Sequence, residues 1–179
     1  MRRKLISDCV NDLLKNHSIR KPPVRVDRIA KKIGIKIQQK AFENELSGVL
    51  IRKNDQAVIG INRDHHENRQ RFTVAHELGH FFLHEGNKVF IDQNYKINQR
   101  NSVSSTGDDG EEVEANFFAS LLLMPSKFIT KDLKKLESMD LENDENALPT
   151  FIKELAEEYG VSTQAMAIRI ANQLRNVLA

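Results

Sequence analysis

The chain has 179 residues, 40% of them hydrophobic and 29% charged, and a formal net charge of +2. This balance fits one folded domain with its own core and excludes a disordered chain, and so mild a charge does not by itself mark a nucleic-acid binder. The single cysteine, Cys9, excludes a disulfide framework and a multi-cysteine metal site. No apolar run reaches the roughly 18 residues of a membrane span, and the start Arg2-Arg3-Lys4 lacks the apolar stretch of a secretory signal. A soluble protein of the reducing cytoplasm is the expectation.

Residues 2–16 place Leu5, Ile6, Cys9, Val10, Leu13 and Leu14 at helical spacing. Pro22-Pro23 ends that helix. A short second helix is expected from Val26 to about Lys32, with Asp27 as its N-cap and Gly34 as its C-terminal stop. Ile35 and Ile37 alternate with Lys36 and Gln38, a strand pattern. The runs Gly48–Ile51 and Ala57–Ile61 are two further strands around the turn residues Lys53-Asn54-Asp55, which predicts a small antiparallel sheet of about three strands.

From Glu67 to Leu83 the period becomes helical, and Phe72, Ala75, His76, Gly79, His80 and Leu83 fall on one stripe. Residues 86–110 are rich in Asn, Ser, Gly and Asp and show no sustained period. A connection of this length is commonly functional, and it could border a cleft. Glu111–Leu123 reads as a second strong helix stopped at Met124-Pro125, and Lys127–Leu136 as a short third piece. The tail, Phe151–Tyr159, Gly160-Val161-Ser162 and Thr163–Leu178, reads as helix–turn–helix.

His76-Glu77-Leu78-Gly79-His80 is an H-E-x-x-H motif. On a helix, residues four apart share a face, so both imidazoles can reach one zinc ion at about 2.0–2.1 Å. Glu77 then lies beside the metal as general base, able to take a proton from attacking water and return it to the leaving amine. A catalytic zinc needs a third protein ligand and an open fourth position. His84 extends the stripe, but one straight helix cannot wrap three ligands around one ion. It reads as a helix C-terminal residue favoured by the dipole. His65 and His66 read as surface residues.

Glu111, Glu112 and Glu114 are the better candidates for the third ligand. Glu111 sits at the expected helix start, where an acid is favoured by the dipole alone. Glu114 shares its face with the bulky Phe118 and Leu121. Glu112 shares its face with Ala115, Asn116 and Ala119, small residues that would let this helix approach the first closely. Glu112 is therefore the expected ligand. Asn116, one turn on, is placed to hydrogen-bond a ligand side chain.

The string Arg71-Phe72-Thr73-Val74-Ala75-His76-Glu77-Leu78-Gly79-His80-Phe81-Phe82-Leu83-His84 resembles the ImmA/IrrE metallopeptidase-like family, as does Glu112-Val113-Glu114-Ala115-Asn116-Phe117-Phe118-Ala119 running on to Leu122-Leu123-Met124-Pro125. Pro23–Ile35 and Glu158–Met166 are similar to its opening and closing segments, so the resemblance covers about residues 20–175. It implies an α+β fold: a compact zincin-like core with a small sheet, an active-site helix and a glutamate-bearing helix. It implies zinc held by His76, His80 and Glu112, with Glu77 as base. The expected organisation is a metallopeptidase domain over residues 1–136 and a C-terminal helix pair, residues 137–179, packed on it. The implied activity is a regulatory zinc endopeptidase that cleaves or inactivates a helix-turn-helix transcriptional repressor in a bacterial or mobile-element stress response.

Two other readings stay open. A binding module on the same fold would grip a repressor or toxin partner with zinc mainly structural, although it would not need Glu77. A nucleic-acid binder could use the basic front, where residues 1–40 hold twelve Lys/Arg against three Asp/Glu. It could also use Gln164, Arg169, Asn172, Gln173, Arg175 and Asn176 of the last helix. Against this, the helix before it carries Glu154, Glu157 and Glu158, and the resemblance leaves no room for a DNA-binding domain before residue 20. Tyr95, Tyr159, His84 and Arg71 are unranked candidates for the group that stabilises the oxyanion.

Overall fold

A computed structural model describes residues 2–42, 46–53, 56–84, 90–93, 107–139 and 144–178. Its helices are α1 (Arg3–Asn16), α2 (Val26–Lys32), α3 (Glu67–Leu83), α4 (Gly107–Leu123), α5 (Ser126–Leu133), α6 (Ala147–Tyr159) and α7 (Thr163–Leu178). Its strands are β1 (Lys36–Lys40), β2 (Leu46–Lys53), β3 (Gln56–Asn62) and β4 (Phe90–Gln93). The fold is α+β, as expected.

The sheet is larger and differently paired than the strand pattern suggests. Its order is β1-β3-β2-β4. The β2–β3 hairpin is antiparallel, with Leu50 opposite Ile59, but β1 runs parallel to β3, with Ile37 opposite Ile59. Strand β3, last of the three in the chain, lies between β1 and β2, so the sheet is mixed. The fourth strand falls in the stretch without periodicity: Phe90–Gln93 pairs antiparallel with β2, placing Phe90 opposite Leu50. Four residues are too few to declare a period, and their strand geometry comes from the partner. Most of residues 86–106 and the turn residues Asn54-Asp55 lie outside the described residues.

The helices correct the sequence reading in three places. Arg25, not Asp27, occupies the N-cap of α2. Asp27 sits inside the first turn, paired to Arg25 at 3.1 Å, where a negative charge suits the helix dipole. Gly34 does follow the helix with a φ of +83°, the left-handed conformation that favours glycine. Helix α4 begins at Gly107, so Glu111 lies a turn inside it rather than at its start. Helix α3 is no surface stripe: every residue from Thr73 to His80 is buried. Strands β2 and β3 pack against it, α4 runs along it, and α2 touches it, so few faces are left for water.

One apolar cluster joins α1, α2, the sheet and α3–α7. Leu78 of α3, Phe118 and Leu122 of α4 and Ile59 of β3 are fully buried, each stabilising the fold by about 1.5–3 kcal/mol. The last two helices are tied into the same body by polar bonds. The Tyr159 hydroxyl donates to Asp132 at 2.6 Å, and Arg169 donates to the Met124 carbonyl at 2.9 Å. Arg71 of α3 donates to the carbonyls of Gly160, Tyr159 and Val24. Among the described residues, no helix is long and apolar enough to cross a membrane.

Candidate metal centre

Helix α3 carries the motif because both its ends are held. At its start the His66 ring Nδ1 accepts from the Asn68 backbone N–H, satisfying a donor that has no partner within the helix. At its end Arg52 of β2 donates to the His80 and His84 carbonyls at 2.7 and 2.6 Å. Its guanidinium also lies over the Phe81 ring. Arg2 donates to the Leu83 carbonyl at 3.3 Å. Two cations thus meet the negative end of the dipole.

The second helix comes close because the contact is between small residues. A Cβ placed on Gly79 would stand 3.0 Å from the Ala115 Cα and 3.1 Å from its carbonyl oxygen. At this separation, donors from both helices meet. His80 Nε2 lies 3.0 Å from His76 Nε2, and the two Glu112 carboxylate oxygens lie 3.2 Å from His76 Nε2 and 3.0 Å from His80 Nε2. One donor atom from each of the three residues falls within 4.8 Å of the others. Both imidazoles are almost fully buried, while the Glu112 side chain keeps 43% exposure and opens the cluster to solvent.

The donor chemistry suits a metal. A tetrahedral ion with bonds of about 2.0–2.2 Å to nitrogen and oxygen has edges of about 3.3–3.6 Å between its ligand atoms. The observed 3.0–3.2 Å is close to that. The tautomer of His76 agrees. Asn116 Oδ1 lies 2.8 Å from His76 Nδ1 and can only accept, so Nδ1 carries the proton and Nε2 presents its lone pair to the cluster. The structure thus brings together His76, His80, Glu112 and Asn116.

Glu77 is completely buried, and its carboxylate lies against the backbone of β2. A Cβ on Gly48 would stand 3.2 Å from Glu77 Oε1 and collide with the Thr73 methyl. The bare backbone at Gly48 therefore makes room for the glutamate. A glycine inside a strand is a signal of close approach that the sequence reading passed over.

The remaining candidates separate. His84 is more than a dipole-favoured end: it is 5% exposed, and its Nδ1 lies 3.0 Å from His80 Nδ1. Burial lowers its pKa, and the neighbouring His80 lowers it further. Glu114 turns away from the cluster toward His84 and Arg2, the guanidinium of which reaches it at 2.8 Å. Arg71 is committed to three backbone carbonyls. The buried Tyr159 hydroxyl is committed to Asp132, which together with burial raises its pKa. Neither is placed as an oxyanion donor, and Tyr95 lies outside the described residues. Of the base-reading candidates on α7, Arg169 and Gln173 point inward, to Ser126 and Thr130. His66 is exposed and caps α3.

The chain is also similar to known proteins. Metallopeptidase ImmA of Bacillus subtilis (strain 168) is 33% identical over 88 residues, which make up 49% of this chain and 46% of that protein. The match thus spans just under half of the relative's length. The family model described as the IrrE N-terminal-like domain matches residues 30–171, a span that holds α3, α4 and all four strands. The chain belongs to the IrrE N-terminal-like domain family of peptidases.

Proposed function

We propose that this chain is a zinc-dependent endopeptidase in which His76, His80 and Glu112 hold the ion and Glu77 is the general base. One observation carries the reading: two imidazole nitrogens and a carboxylate from separate helices converge at 3.0–3.2 Å, and the motif that supplies the imidazoles also supplies the buried glutamate. Zinc bound there supplies a Lewis acid for the scissile carbonyl and lowers the pKa of water toward about 7. Glu77 takes the proton from the attacking water and delivers it to the leaving amine. Asn116 holds the His76 ring in the tautomer that faces the cluster. The exposed side of Glu112 is the side from which a peptide enters.

The substrate is a protein, and the family resemblance supports a helix-turn-helix repressor of a bacterial or mobile-element stress response, met in the cytoplasm. The test uses the wild type and Glu77→Gln, each assayed for bound zinc and for cleavage of candidate helix-turn-helix repressors from the same genome. Stoichiometric zinc in both and cleavage by the wild type alone is the expected result. Binding of the repressor by both with cleavage by neither would show a binding module instead. Absence of zinc from the wild type would remove the metal centre altogether.

A further inference from the structure

A chain of contacts runs from Arg2, outside the family match, through Glu114 and His84 to the His80 ring. His80 Nδ1 and His84 Nδ1 lie 3.0 Å apart, so one of them carries the proton and donates to the other. His84 Nε2 in turn faces Glu114 Oε2 at 3.5 Å, a distance at which charge matters more than hydrogen-bond geometry. The Glu114 carboxylate is held by Arg2 three times: by its backbone N–H at 3.1 Å, by Nε at 3.4 Å and by Nη2 at 2.8 Å. A carboxylate only accepts, so the ring nitrogen facing it is the protonated one. A neutral His84 protonated at Nε2 has its lone pair on Nδ1. His80 must then donate from Nδ1, which leaves the His80 Nε2 lone pair facing His76 and Glu112.

We propose that Arg2, Glu114 and His84 form a positioning relay that fixes the tautomer and ring orientation of His80 and so raises the affinity of the site for zinc. The proposal rests on the ligand set given above. His80 thereby gains through His84 what His76 gains directly from Asn116, and α1 becomes part of the metal centre although it contributes no ligand. The geometry fits a supporting role: Glu114 and His84 are almost fully buried, Arg2 reaches both Glu114 and the Leu83 carbonyl, and α1 packs along α4.

The test measures zinc affinity by competition with a chromophoric chelator, together with the visible spectrum of the cobalt(II)-substituted protein. The series is the wild type, His84→Leu, His84→Asn, Glu114→Gln, Arg2→Gln and the double variant His84→Leu/Glu114→Gln. Loss of a partner that orients a metal-bound histidine weakens binding by about 10- to 100-fold. His84→Leu is expected to lose affinity in that range and to alter the cobalt spectrum. His84→Asn, whose side-chain oxygen can replace Nδ1 as acceptor, recovers most of both. Glu114→Gln and Arg2→Gln each weaken binding by about threefold or more, and the double variant is no weaker than His84→Leu alone, because the members act in series. A folded His84→Leu with wild-type affinity overturns the relay, as do losses that add in the double variant. Should His84→Leu not fold, wild-type affinity in Glu114→Gln overturns it equally. A wild type that binds no zinc overturns the ligand assignment rather than the relay alone.

Discussion

Gly79→Ala tests whether the approach of α3 to α4 builds the metal centre. The added methyl would stand 3.0 Å from the Ala115 Cα, 3.1 Å from its carbonyl oxygen and 3.3 Å from its Cβ. Carbon atoms in comfortable contact are about 3.5–4.0 Å apart, so the helices must separate by roughly 0.5 Å. Two of the three neighbours are backbone atoms that no rotamer change can move. Overpacking of this kind costs about 1–3 kcal/mol, while replacing glycine inside a helix by alanine returns about 0.5–1 kcal/mol. The metal-free fold therefore loses at most about 2.5 kcal/mol. The site suffers more, because His76 and His80 flank Gly79 on α3 whereas Glu112 and Asn116 flank Ala115 on α4. Metal–ligand distances tolerate only about 0.2 Å, so a shift of 0.5 Å between the helices should weaken zinc binding by about tenfold or more, some 1.4 kcal/mol. Chelator competition gives the affinity, and urea unfolding of the metal-free protein gives the stability. Gly110→Ala on the exposed side of α4 is the control, since a Cβ there meets nothing within 4 Å. It should raise stability by about 0.5–1 kcal/mol and leave zinc binding alone. If Gly79→Ala behaves like Gly110→Ala, the close contact does not set the ligand geometry.

Three further outcomes follow from the polar contacts. Arg2, by hydrogen bond first and charge second, holds the Glu114 carboxyl down at about 2 against an ordinary value of 4.5. A depressed folded pKa means stability that is complete above the unfolded value and fades as pH falls through the folded one. The stability difference between the wild type and Glu114→Gln should therefore be full above about pH 4.5 and vanish toward pH 2, as read from urea midpoints across that range. Arg71→Leu strands the three carbonyls of Val24, Tyr159 and Gly160 and should cost about 2–4 kcal/mol in urea unfolding; a loss below 1 kcal/mol would show that water replaces the guanidinium freely. Tyr159→Phe removes the bond to Asp132 and should lower stability by about 1–2 kcal/mol with turnover unchanged, and a fall in turnover without a fall in stability would restore Tyr159 to the catalytic candidates.

The parts of the site legible in the sequence are those that depend on neighbours within one or two turns. Two histidines four residues apart share a face in any α-helix, whatever surrounds it. Glu112 could be preferred to Glu111 and Glu114 because helical phase placed it with Ala115 and Ala119, and the geometry at Gly79 is the close contact that this phase argument needs. The helix ends at Leu83 and Leu123 and the left-handed Gly34 are likewise local.

Only the tertiary structure decided what distant segments do to one another. Periodicity made α3 look like a helix with one buried stripe, and the sheet and α4 together buried it nearly all round. Three of the sheet's strands could be read, but β1 pairs parallel with β3 and β4 pairs with β2 because of the path of the connections, which leaves no mark on strand composition. Sequence read His84 as a helix end and Glu114 as a bulky-faced acid, and only the fold brings Arg2 onto Glu114 and sets His84 between Glu114 and His80. The division is physical: backbone dihedrals make side-chain direction a local property, whereas the partner a side chain meets depends on the packing of the whole chain.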